Sequence, residues 1–511
     1  MGNGIKADET VTISKTEYES LKQQIAYLME QLKLSKRRQF APSSEKSEYD
    51  QISLFNEAEI AADLKTAEPD IGEVKAYRRK KARHAADRLP QDLPVEIVEH
   101  ELTESERSCT ECGGDLHVMG RETRDELKLI PAKAMIVRHV RHVYACRACE
   151  KNAEKVPIIK ADIPQPVIKG SFASPESIAH IAAQKFVMGI PLYRQEQEWE
   201  RNGILLSRQT MSNWLMKATG DWLLPVYDRL HELLCAGEVA HADETTLQVL
   251  HEPGKSAQSK SYMWLYRTSG DAEHQIVLYD YQPDRKGKRP AEFLKDFKGY
   301  LHTDGYDVYH RGLPAKIAVV GCWAHCRRKF DEALKIIPEK ERIGSGALHG
   351  KHFCDRLFAL EREYADLPTG HNGKARYEAR LKRSRPVMDD FFSWAKNSEA
   401  LPKTPLGRAV KYALDQKMWL ERVLLDGRLE LSNNRAERSI KPFVIGRKNW
   451  LFSNTPKGAT ASAVLYSLIE TAKENGLNPY DYLTAVFKLA PNLTTGGAIN
   501  ALLPWNLSLH N

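Results

Sequence analysis

Two aspartates follow short segments of strand-forming residues, and their placement favours metal binding. Asp243 ends the segment 238–243, and Asp304 ends the strand-like part of the segment 299–306. Two buried carboxylates repel one another unless a cation neutralises them. Because Mg²⁺ is held by a few carboxylates together with water and substrate phosphates, the pair predicts a site for two Mg²⁺ (or Mn²⁺) ions.

A third carboxylate is expected from the C-terminal half of the chain. Glu437 lies near the start of a predicted helix that Ser432 or Asn433 caps and that Pro442 limits. Two ions about 4 Å apart, held by three acids, are suited to phosphoryl transfer. For any single acid, a surface salt bridge is the ordinary alternative. The nearby cations, which suit a DNA phosphate backbone, are Arg435, Arg438, Lys441, Arg447 and Lys448.

Four cysteines form two C-x-x-C pairs, Cys109 with Cys112 and Cys146 with Cys149. Four thiolates from two such pairs make a closed tetrahedral Zn²⁺ site. The predicted role is structural, because no ligand position is left open for chemistry. Redox pairs or unrelated cysteines are the alternatives.

The segment 172–225 predicts a helical DNA-binding region. Ser174 followed by Pro175 is typical of a helix start, and a second helix is expected over 191–202. A short turn then leads to a helix that begins near Ser207, which is the outline of a helix-turn-helix. An ordinary helical hairpin is the alternative. The side chains suited to base edges and phosphates are Arg208, Gln209, Ser212 and Asn213.

The elements around the two aspartates predict how the acids are positioned. Strands are expected at 261–268, 274–281 and 316–320, with an amphipathic segment at 291–297 and a basic helix from Arg327. Three strands, a helix, and then strands alternating with helices is the element order of a ribonuclease-H-like fold. The span between the second and third acids is too long for a loop and has helical stretches, so it predicts a helical insertion.

Length and composition are those of a globular multidomain chain. The 511 residues suggest three or four domains at about 150 residues each. Hydrophobic residues make up 42% and charged residues 28%, which excludes wholesale disorder. The absence of a long apolar run excludes a membrane protein, and the first residues do not resemble a signal peptide. We therefore expect a cytoplasmic protein with reduced cysteines, and the net charge of +7 permits a nucleic-acid partner.

The N-terminal residues predict an arm and a linker. Residues 1–40 carry apolar side chains at heptad spacing, which favours a short coiled coil and self-association; a lone amphipathic helix is the alternative. Residues 41–95 are polar, and the basic run at 75–83 either binds phosphate or forms a solvated helix face. The apolar positions of the heptad pattern are Tyr18, Leu21, Ile25, Leu28 and Leu32.

Several motifs together resemble the transposases of insertion sequence family sixty-six. They are HADET, HTDGY, GCWAHCRRKF, SNNRAERSIKPFVIGRKNWLF, RRQFAPSSEK and ENGLNPYDYL, and with the four cysteines they cover nearly the whole chain. The resemblance implies a DDE transposase with Asp243, Asp304 and Glu437 as its acidic triad. It also implies that Cys322 and His325 support the active site. Its partners would be double-stranded DNA at the element ends and the target, with possible accessory proteins, in the nucleoid of a bacterium.

The sequence therefore predicts a mixed α/β multidomain transposase that cuts and joins its own element by Mg²⁺-dependent phosphoryl transfer. A catalytically inactive DNA-binding regulator and a nuclease or resolvase of the same fold are the alternatives. The predicted parts are a coiled-coil-like helix (1–40), a basic linker (41–95), a zinc module (96–157), a helical DNA-binding region (172–225), a ribonuclease-H-like catalytic domain (237–470) with a helical insertion at about 331–430, and a C-terminal element (471–511).

Overall fold

The computed structural model describes residues 134–145, 158–364, 367, 370–493 and 496–507. These residues belong to two separate compact units, one that extends up to Ile163 and one that begins at Pro164. The predicted coil at 1–40, the basic linker and all four cysteines of the zinc module lie outside the described residues.

In the smaller unit, β1 (Val143–Ala145) pairs antiparallel with β2 (Ile158–Lys160). Val143 lies opposite Lys160, and the second C-x-x-C pair falls between the two strands in the sequence. The pairing therefore brings together the two ends of the segment that contains Cys146 and Cys149.

The larger unit begins with helices that contain the predicted DNA-binding region. Ser174 caps the first of them, because its Oγ accepts a hydrogen bond from the Ser177 amide at 3.1 Å. The predicted helix start at Ser174 and Pro175 is thus confirmed. A π-helical turn at Thr219–Leu223 joins the third helix to the fourth. The four helices are α1 (Pro175–Phe186), α2 (Leu192–Arg201), α3 (Arg208–Ala218) and α4 (Leu224–Ala236).

A five-stranded sheet follows, with the order β5-β4-β3-β6-β7. The strands β3, β4 and β5 pair antiparallel, whereas β6 and β7 run parallel to β3. The central strand β3 therefore has a neighbour on each side. The five strands are β3 (Val239–Gln248), β4 (Lys260–Thr268), β5 (Val277–Gln282), β6 (Gly299–His302) and β7 (Ile317–Val320).

The strand β3 differs from its prediction, which ended it at Asp243. It continues to Gln248, because Glu244 still pairs with Trp264 and the ladder runs on to Gln248 opposite Lys260. The antiparallel pairing with β4 thus extends the strand beyond the acid.

Between β5 and the C-terminal helices, the described residues form three short α-helices and five longer ones. From Trp323 onward they surround a second hydrophobic core that includes Phe330 and Phe391. The helix predicted from Arg327 begins four residues earlier, at Trp323. The helices are α5 (Lys288–Phe293), α6 (Asp307–Gly312), α7 (Trp323–Ile336), α8 (Gly346–Tyr364), α9 (Gly370–Ala379), α10 (Arg385–Lys396), α11 (Pro405–Asp415) and α12 (Lys417–Glu421).

Three α-helices follow in the described chain, and two 3₁₀ helices (Ala490–Asn492 and Gly496–Leu502) come after them. The α-helices are α13 (Asn434–Trp450), α14 (Pro456–Glu474) and α15 (Pro479–Leu489). The prediction that Pro442 limits the helix of Glu437 was wrong, because α13 continues to Trp450 with Pro442 inside it. Proline removes only one helical hydrogen bond donor. Buried residues on both sides of it, Ile440 and Phe443, keep the helix packed in the main core.

The larger unit is thus a mixed α/β structure whose main core lies between the sheet and helices α1, α3, α4, α13 and α14. The helix α14 lies against β5, where the Tyr279 amide donates to Ser467 Oγ at 2.7 Å. In the part of the chain that the structure describes, no helix has the length and apolar character needed to cross a bilayer.

Candidate active site

The register of β3 and β6 places Asp243 on β3 and Asp304 two residues past the end of the neighbouring strand β6. His241 lies opposite His302 in this parallel pair, and each aspartate follows its histidine by two residues. Side chains two residues apart on a strand share a face. Burial raises the pKa of the Asp243 carboxyl well above its usual value, and the negative charges of Glu244, Asp304 and Glu437 raise it further.

Both aspartates are oriented by backbone amides. Asp243 Oδ1 accepts a hydrogen bond from the Glu244 amide at 2.8 Å, and Asp304 Oδ1 accepts one from the Tyr306 amide at 3.1 Å. The pKa of Asp304 is also raised, first by burial and then by the charge of Glu244, although nearby His325 opposes this. The two carboxylates thus sit in a site that disfavours their own negative charge.

The third predicted acid, Glu437, lies in the first turn of α13. Its Oε2 accepts a hydrogen bond from Arg328 Nη2 at 3.2 Å. Its Oε1 is 3.7 Å from His325 Nδ1, beyond hydrogen-bond reach, and both atoms are buried without a hydrogen-bond partner. The structure therefore brings Glu437 to the two aspartates and leaves one of its oxygens unsatisfied.

These residues fit a divalent cation. Hard cations prefer carboxylate oxygens, and Asp243, with the nearby charges of Asp304 and Glu437 and the unsatisfied Glu437 Oε1, offers that donor set. Cys322 Sγ, a His325 ring nitrogen and a Glu437 oxygen also lie within 4.8 Å of one another. Burial raises the pKa of the Cys322 thiol to about 11, and thiolates suit softer metals than Mg²⁺. The carboxylates are therefore the better donors.

Asn433 connects the start of α13 to β3. Its Oδ1 lies 3.0 Å from His241 Nδ1, and its Nδ2 donates to the Ala242 carbonyl at 2.8 Å. The backbone amide of Asn433 donates to Cys322 Sγ at 3.2 Å. Asn433 is the N-cap residue of α13, but its side chain makes no capping hydrogen bond, because it is used for these contacts instead. The predicted capping by this side chain was therefore wrong.

Two buried histidines lie beneath the aspartates, and sequence reasoning gave them no role. The rings of His241 and His302 stack with centroids 4.4 Å apart. Burial lowers the pKa of His241 to about 3 and that of His302 well below its usual value, so both rings are neutral at physiological pH. The signal in the sequence is the repeated His-x-Asp spacing of HADET and HTDGY.

The loop that carries Asp304 also contacts the helical insertion. A Cβ added at Gly305 would lie 2.7 Å from the hydroxyl oxygen of Tyr412 in α11. A side chain at position 305 would require the Tyr412 ring to shift. The insertion therefore packs directly over the residue that follows the second acid.

Matches to known protein families cover most of the chain. A family model described as "Transposase IS66 family" matches residues 170–461, which include all three acids. The chain belongs to the IS66 transposase family. Three further models match the zinc-finger binding domain of transposase IS66 at 106–150, the IS66 C-terminal element at 467–505, and the "Transposase C of IS166 homeodomain" at 27–98. The family resemblance noted in the motifs is thus confirmed.

Relatives of similar length occur in Sinorhizobium fredii. The uncharacterized protein y4jD is 32% identical over 457 residues, which cover 86% of this chain and 85% of that protein. The uncharacterized protein y4qI is 29% identical over 506 residues, which cover 95% of this chain and 90% of that protein. The similarity therefore extends over most of each chain.

In this IS66-family chain, the side chain of Glu244 connects the strand of the first acid to the loop of the second. It is 2% exposed, and its Oε1 accepts a hydrogen bond from Arg285 Nε at 2.8 Å. The Arg285 guanidinium lies 3.6 Å over the Tyr306 ring, and the Tyr306 amide holds Asp304. Tyr309 donates to the other oxygen of Glu244 at 2.5 Å. Sequence reasoning missed this residue, although it follows Asp243 directly.

We expect Glu244→Gln to lower the rate of DNA strand cleavage about tenfold and to raise the Mg²⁺ concentration that gives half the maximal rate. The amide still accepts from Tyr309, but it loses the charge that holds Arg285 over Tyr306. Cleavage rates across a Mg²⁺ titration measure both effects. Glu252→Gln is the control, because Glu252 also accepts from a tyrosine hydroxyl, that of Tyr281, outside this cluster. An unchanged Mg²⁺ dependence in Glu244→Gln would contradict the prediction.

The predicted recognition helix is α3, which follows α2 after a six-residue connection (202–207). Its buried side includes Met211 and Trp214. Arg208, Gln209 and Asn213 are exposed and Ser212 is half-buried. Gln209 Nε2 donates to Asn213 Oδ1 at 3.2 Å, so the two amides form one exposed polar group on α3.

The predicted phosphate-binding cations of α13 differ in their surroundings. Arg435 pairs with Glu430 at 2.7 Å, and Arg447 donates to Thr245 Oγ1 at 3.3 Å in β3. Arg435 and Arg447 therefore have internal contacts. The exposed members of the set are Arg438, Lys441 and Lys448.

Proposed function

We propose that this chain is a DDE transposase that cuts DNA at the ends of its own insertion sequence and joins the freed ends to target DNA. The observation that carries the proposal is the cluster of Asp243, Asp304 and Glu437, in which the charges of Asp304 and Glu437 disfavour ionisation of the buried Asp243 carboxyl. Such clusters are stable and useful when a cation and a phosphate share the site.

The proposed catalytic domain is a ribonuclease-H-like fold over 237–470 with the helical insertion at about 331–430. The mixed sheet supports it, with three antiparallel strands followed by two parallel ones and the first acid on the central strand. The other proposed parts are those predicted from the sequence: the arm (1–40), the linker (41–95), the zinc module (96–157), the DNA-binding helices (172–225) and the C-terminal element (471–511).

The metal cofactor of the proposed reaction is Mg²⁺ or Mn²⁺, as two ions. Asp243, Asp304 and Glu437 are the residues that would hold these ions. Bound there, the ions would activate the attacking oxygen and stabilise the leaving one. The fit rests on the repelling acids and the unsatisfied Glu437 oxygen.

The residues of the chain hold and orient the groups of the reaction. Arg328 fixes one Glu437 oxygen, and Asn433 fixes the start of α13 against β3. The exposed cations of α13 would bind phosphates beside the acids. In the first step water attacks a phosphodiester at the element end and releases a 3′-hydroxyl. In the second step that hydroxyl attacks a target phosphodiester, so no side chain need become covalently attached to DNA.

DNA would also be bound outside the catalytic domain. The exposed face of α3, with Arg208, Gln209, Ser212 and Asn213, suits a DNA groove. We assign a structural Zn²⁺ to Cys109, Cys112, Cys146 and Cys149, in keeping with the match to a zinc-finger binding domain. Self-association through residues 1–40 and help from accessory proteins of the same element complete the proposal.

Strand cleavage and strand transfer by the purified full chain test this function. Duplexes that carry the ends of the insertion sequence around the gene are incubated with Mg²⁺, with Mn²⁺ or with chelator, and the new termini are mapped. We expect metal-dependent nicks that leave 3′-hydroxyls. We also expect precut ends to be joined to a target plasmid in the presence of Mg²⁺.

The outcomes of these assays separate the alternatives. Nicking without joining of precut ends would indicate a nuclease or resolvase. DNA binding without any metal-dependent nicking would indicate a regulator with an inactive catalytic fold. Either result would overturn the proposed function.

A further inference from the structure

The chain makes a strained turn directly after α13. Leu451 has φ 65° and ψ −52°, and the Phe452 amide donates to the Trp450 carbonyl at 2.8 Å. These are the features of a γ-turn with positive φ, which is strained for a residue with a Cβ. Among the described residues, Leu451 is the only non-glycine with positive φ.

Hydrogen bonds on both sides hold this turn in place. The Leu451 amide donates to the Arg447 carbonyl at 2.6 Å, which closes the last turn of α13. After the turn, the Ser453 amide donates to the Gln248 carbonyl at 2.9 Å, and its carbonyl accepts from the Leu250 amide at 3.0 Å. The segment is thus fixed between the helix of Glu437 and the strand of Asp243. Strain of this kind persists where the surroundings determine it from two sides.

The strained turn presents apolar side chains to solvent. Leu451 is 64% exposed and Phe452 is 42% exposed, so burial contributes little to the placement of Leu451. Glycine would adopt the same backbone at no steric cost. The Leu451 side chain therefore contributes little to the stability of the fold. The hydrogen-bonded turn holds it toward solvent.

The surrounding sequence identifies the kind of partner. From Arg438 to Ile469 the chain contains no Asp or Glu. An apolar tip among cations fits a DNA duplex, because phosphates bind the cations while an apolar wedge enters between bases. The exposed cations of this segment are Arg438, Lys441, Lys448 and Lys457.

The helix α13 also fixes the distance between this tip and the proposed catalytic site. Glu437 and Leu451 lie at its two ends, and a rise of about 1.5 Å per residue separates them by about 20 Å along the helix axis. This corresponds to about six base pairs at about 3.4 Å each. A duplex that follows α13 would thus meet the tip about half a helical turn away from the cut.

We propose that Leu451, supported by Phe452, is a wedge that enters the base stack of the element-end duplex about six base pairs from the scissile phosphate. The wedge unstacks one base step and fixes the register of the duplex against the acids. The inference rests on the proposed function, because it takes element-end DNA as the ligand.

Leu451→Gly tests the wedge without weakening the fold, because glycine relieves the strain of the turn. The probe is an element-end duplex with 2-aminopurine placed in turn at successive positions, bound in Ca²⁺ so that it is not cut. We expect the wild-type chain to raise the fluorescence at one position, and Leu451→Gly to abolish most of this rise with an equal or higher melting temperature. Leu451→Met, which keeps an apolar side chain, should retain the signal.

Cleavage in Mg²⁺ gives a second readout. Leu451→Gly should cut the intact duplex about tenfold more slowly, and a duplex with a mismatch at the unstacked position should restore the rate. The matched control is Leu489→Ala, a partly exposed leucine at the end of α15. It should behave as the wild type does.

The results distinguish failure of the wedge from failure of the proposed function. Fluorescence and cleavage that are equal in the wild type and Leu451→Gly would overturn the wedge and leave the transposase proposal standing. A change of oligomeric state in Leu451→Gly, with unchanged fluorescence, would instead place a second protein on this surface and also overturn it. A wild-type chain that unstacks the base but never cuts in Mg²⁺ would support the wedge and overturn the proposed function.

Discussion

Asp243→Asn is expected to lower Mg²⁺-dependent strand cleavage by about a thousandfold or more, because the charge stabilisation that bound cations supply to phosphoryl transfer is worth several kcal/mol. The amide keeps the shape of the carboxyl group and can still accept from the Glu244 amide. What it loses is the charge that holds a cation at the centre of the site. Rates of nicking on element-end DNA measure this loss.

The same change is expected to make the metal-free protein more stable at neutral pH. Burial and the charges of Glu244, Asp304 and Glu437 raise the pKa of Asp243 in the folded state. A carboxyl group whose pKa is raised by folding does not destabilise the folded state below its unfolded pKa of about 4. As the pH rises from there through the higher folded pKa, the free energy of unfolding falls. Asparagine cannot ionise, so its variant escapes this loss.

Thermal unfolding from about pH 4 to pH 8 measures the effect. Over this range the melting temperature of the metal-free wild type should fall more than that of the metal-free Asp243→Asn variant. Added Mg²⁺ should raise the melting temperature of the wild type at neutral pH and leave that of the variant nearly unchanged.

Asp280→Asn is the matched control. Asp280 lies in β5, and burial raises its pKa to about 6, so its replacement also removes a disfavoured carboxylate. It belongs to no part of the proposed metal site. The control should gain stability at neutral pH and still cut DNA. Equal cleavage by the two variants would contradict the assignment of Asp243.

The two aspartates were accessible to sequence reasoning because strand patterns are local. Residues of alternating character before Asp243 and Asp304 predicted the strands, and parallel strands bring such positions together. The end of β3 was not predictable in this way. Polar residues such as Thr245 and Thr246 lengthen the strand only because β4 pairs with them, and that pairing is a property of the whole fold.

The residues that support the acids were harder to predict. Asn433 contacts His241, which is distant in sequence, and Arg328 contacts Glu437 across the insertion. Such contacts depend on how α7 and α13 dock on the sheet, and spacing in the sequence carries no signal for them. Residue type was misleading as well, because Asn433 was expected to cap a helix.

Arg380→Met is expected to lower the free energy of unfolding of the insertion by about 3–5 kcal/mol, because it leaves the Glu361 carboxylate, whose side chain is only 16% exposed, without its partner. The Arg380 side chain is 1% exposed and lies in a π-helical turn at Arg380–Ser384. Its Nε and Nη2 donate to the two Glu361 oxygens at 2.7 Å each. Such a paired fork is stronger and more specific than a single contact.

The same guanidinium also holds the chain that leads to Glu437. Its Nη1 donates to the carbonyls of Val423 at 3.2 Å and Asp426 at 3.1 Å, and its Nη2 donates to that of Leu429 at 2.7 Å. Loss of these bonds should loosen the segment 423–429 and slow cleavage as well. Arg380→Lys should fall between the wild type and Arg380→Met, because an ammonium cannot span both oxygens and the three carbonyls.

Denaturant unfolding of the full chain measures the loss of unfolding free energy. Arg383→Met is the matched control. Arg383 lies three residues further along and pairs with Glu363 at 2.7 Å, but its side chain is 47% exposed. An exposed pair is screened by water, so this variant should unfold almost as the wild type does. The double variant Arg380→Met with Glu361→Leu should regain part of the lost stability, because no buried charge remains. Equal losses in Arg380→Met and Arg383→Met would show that burial of the guanidinium is not what holds the insertion together.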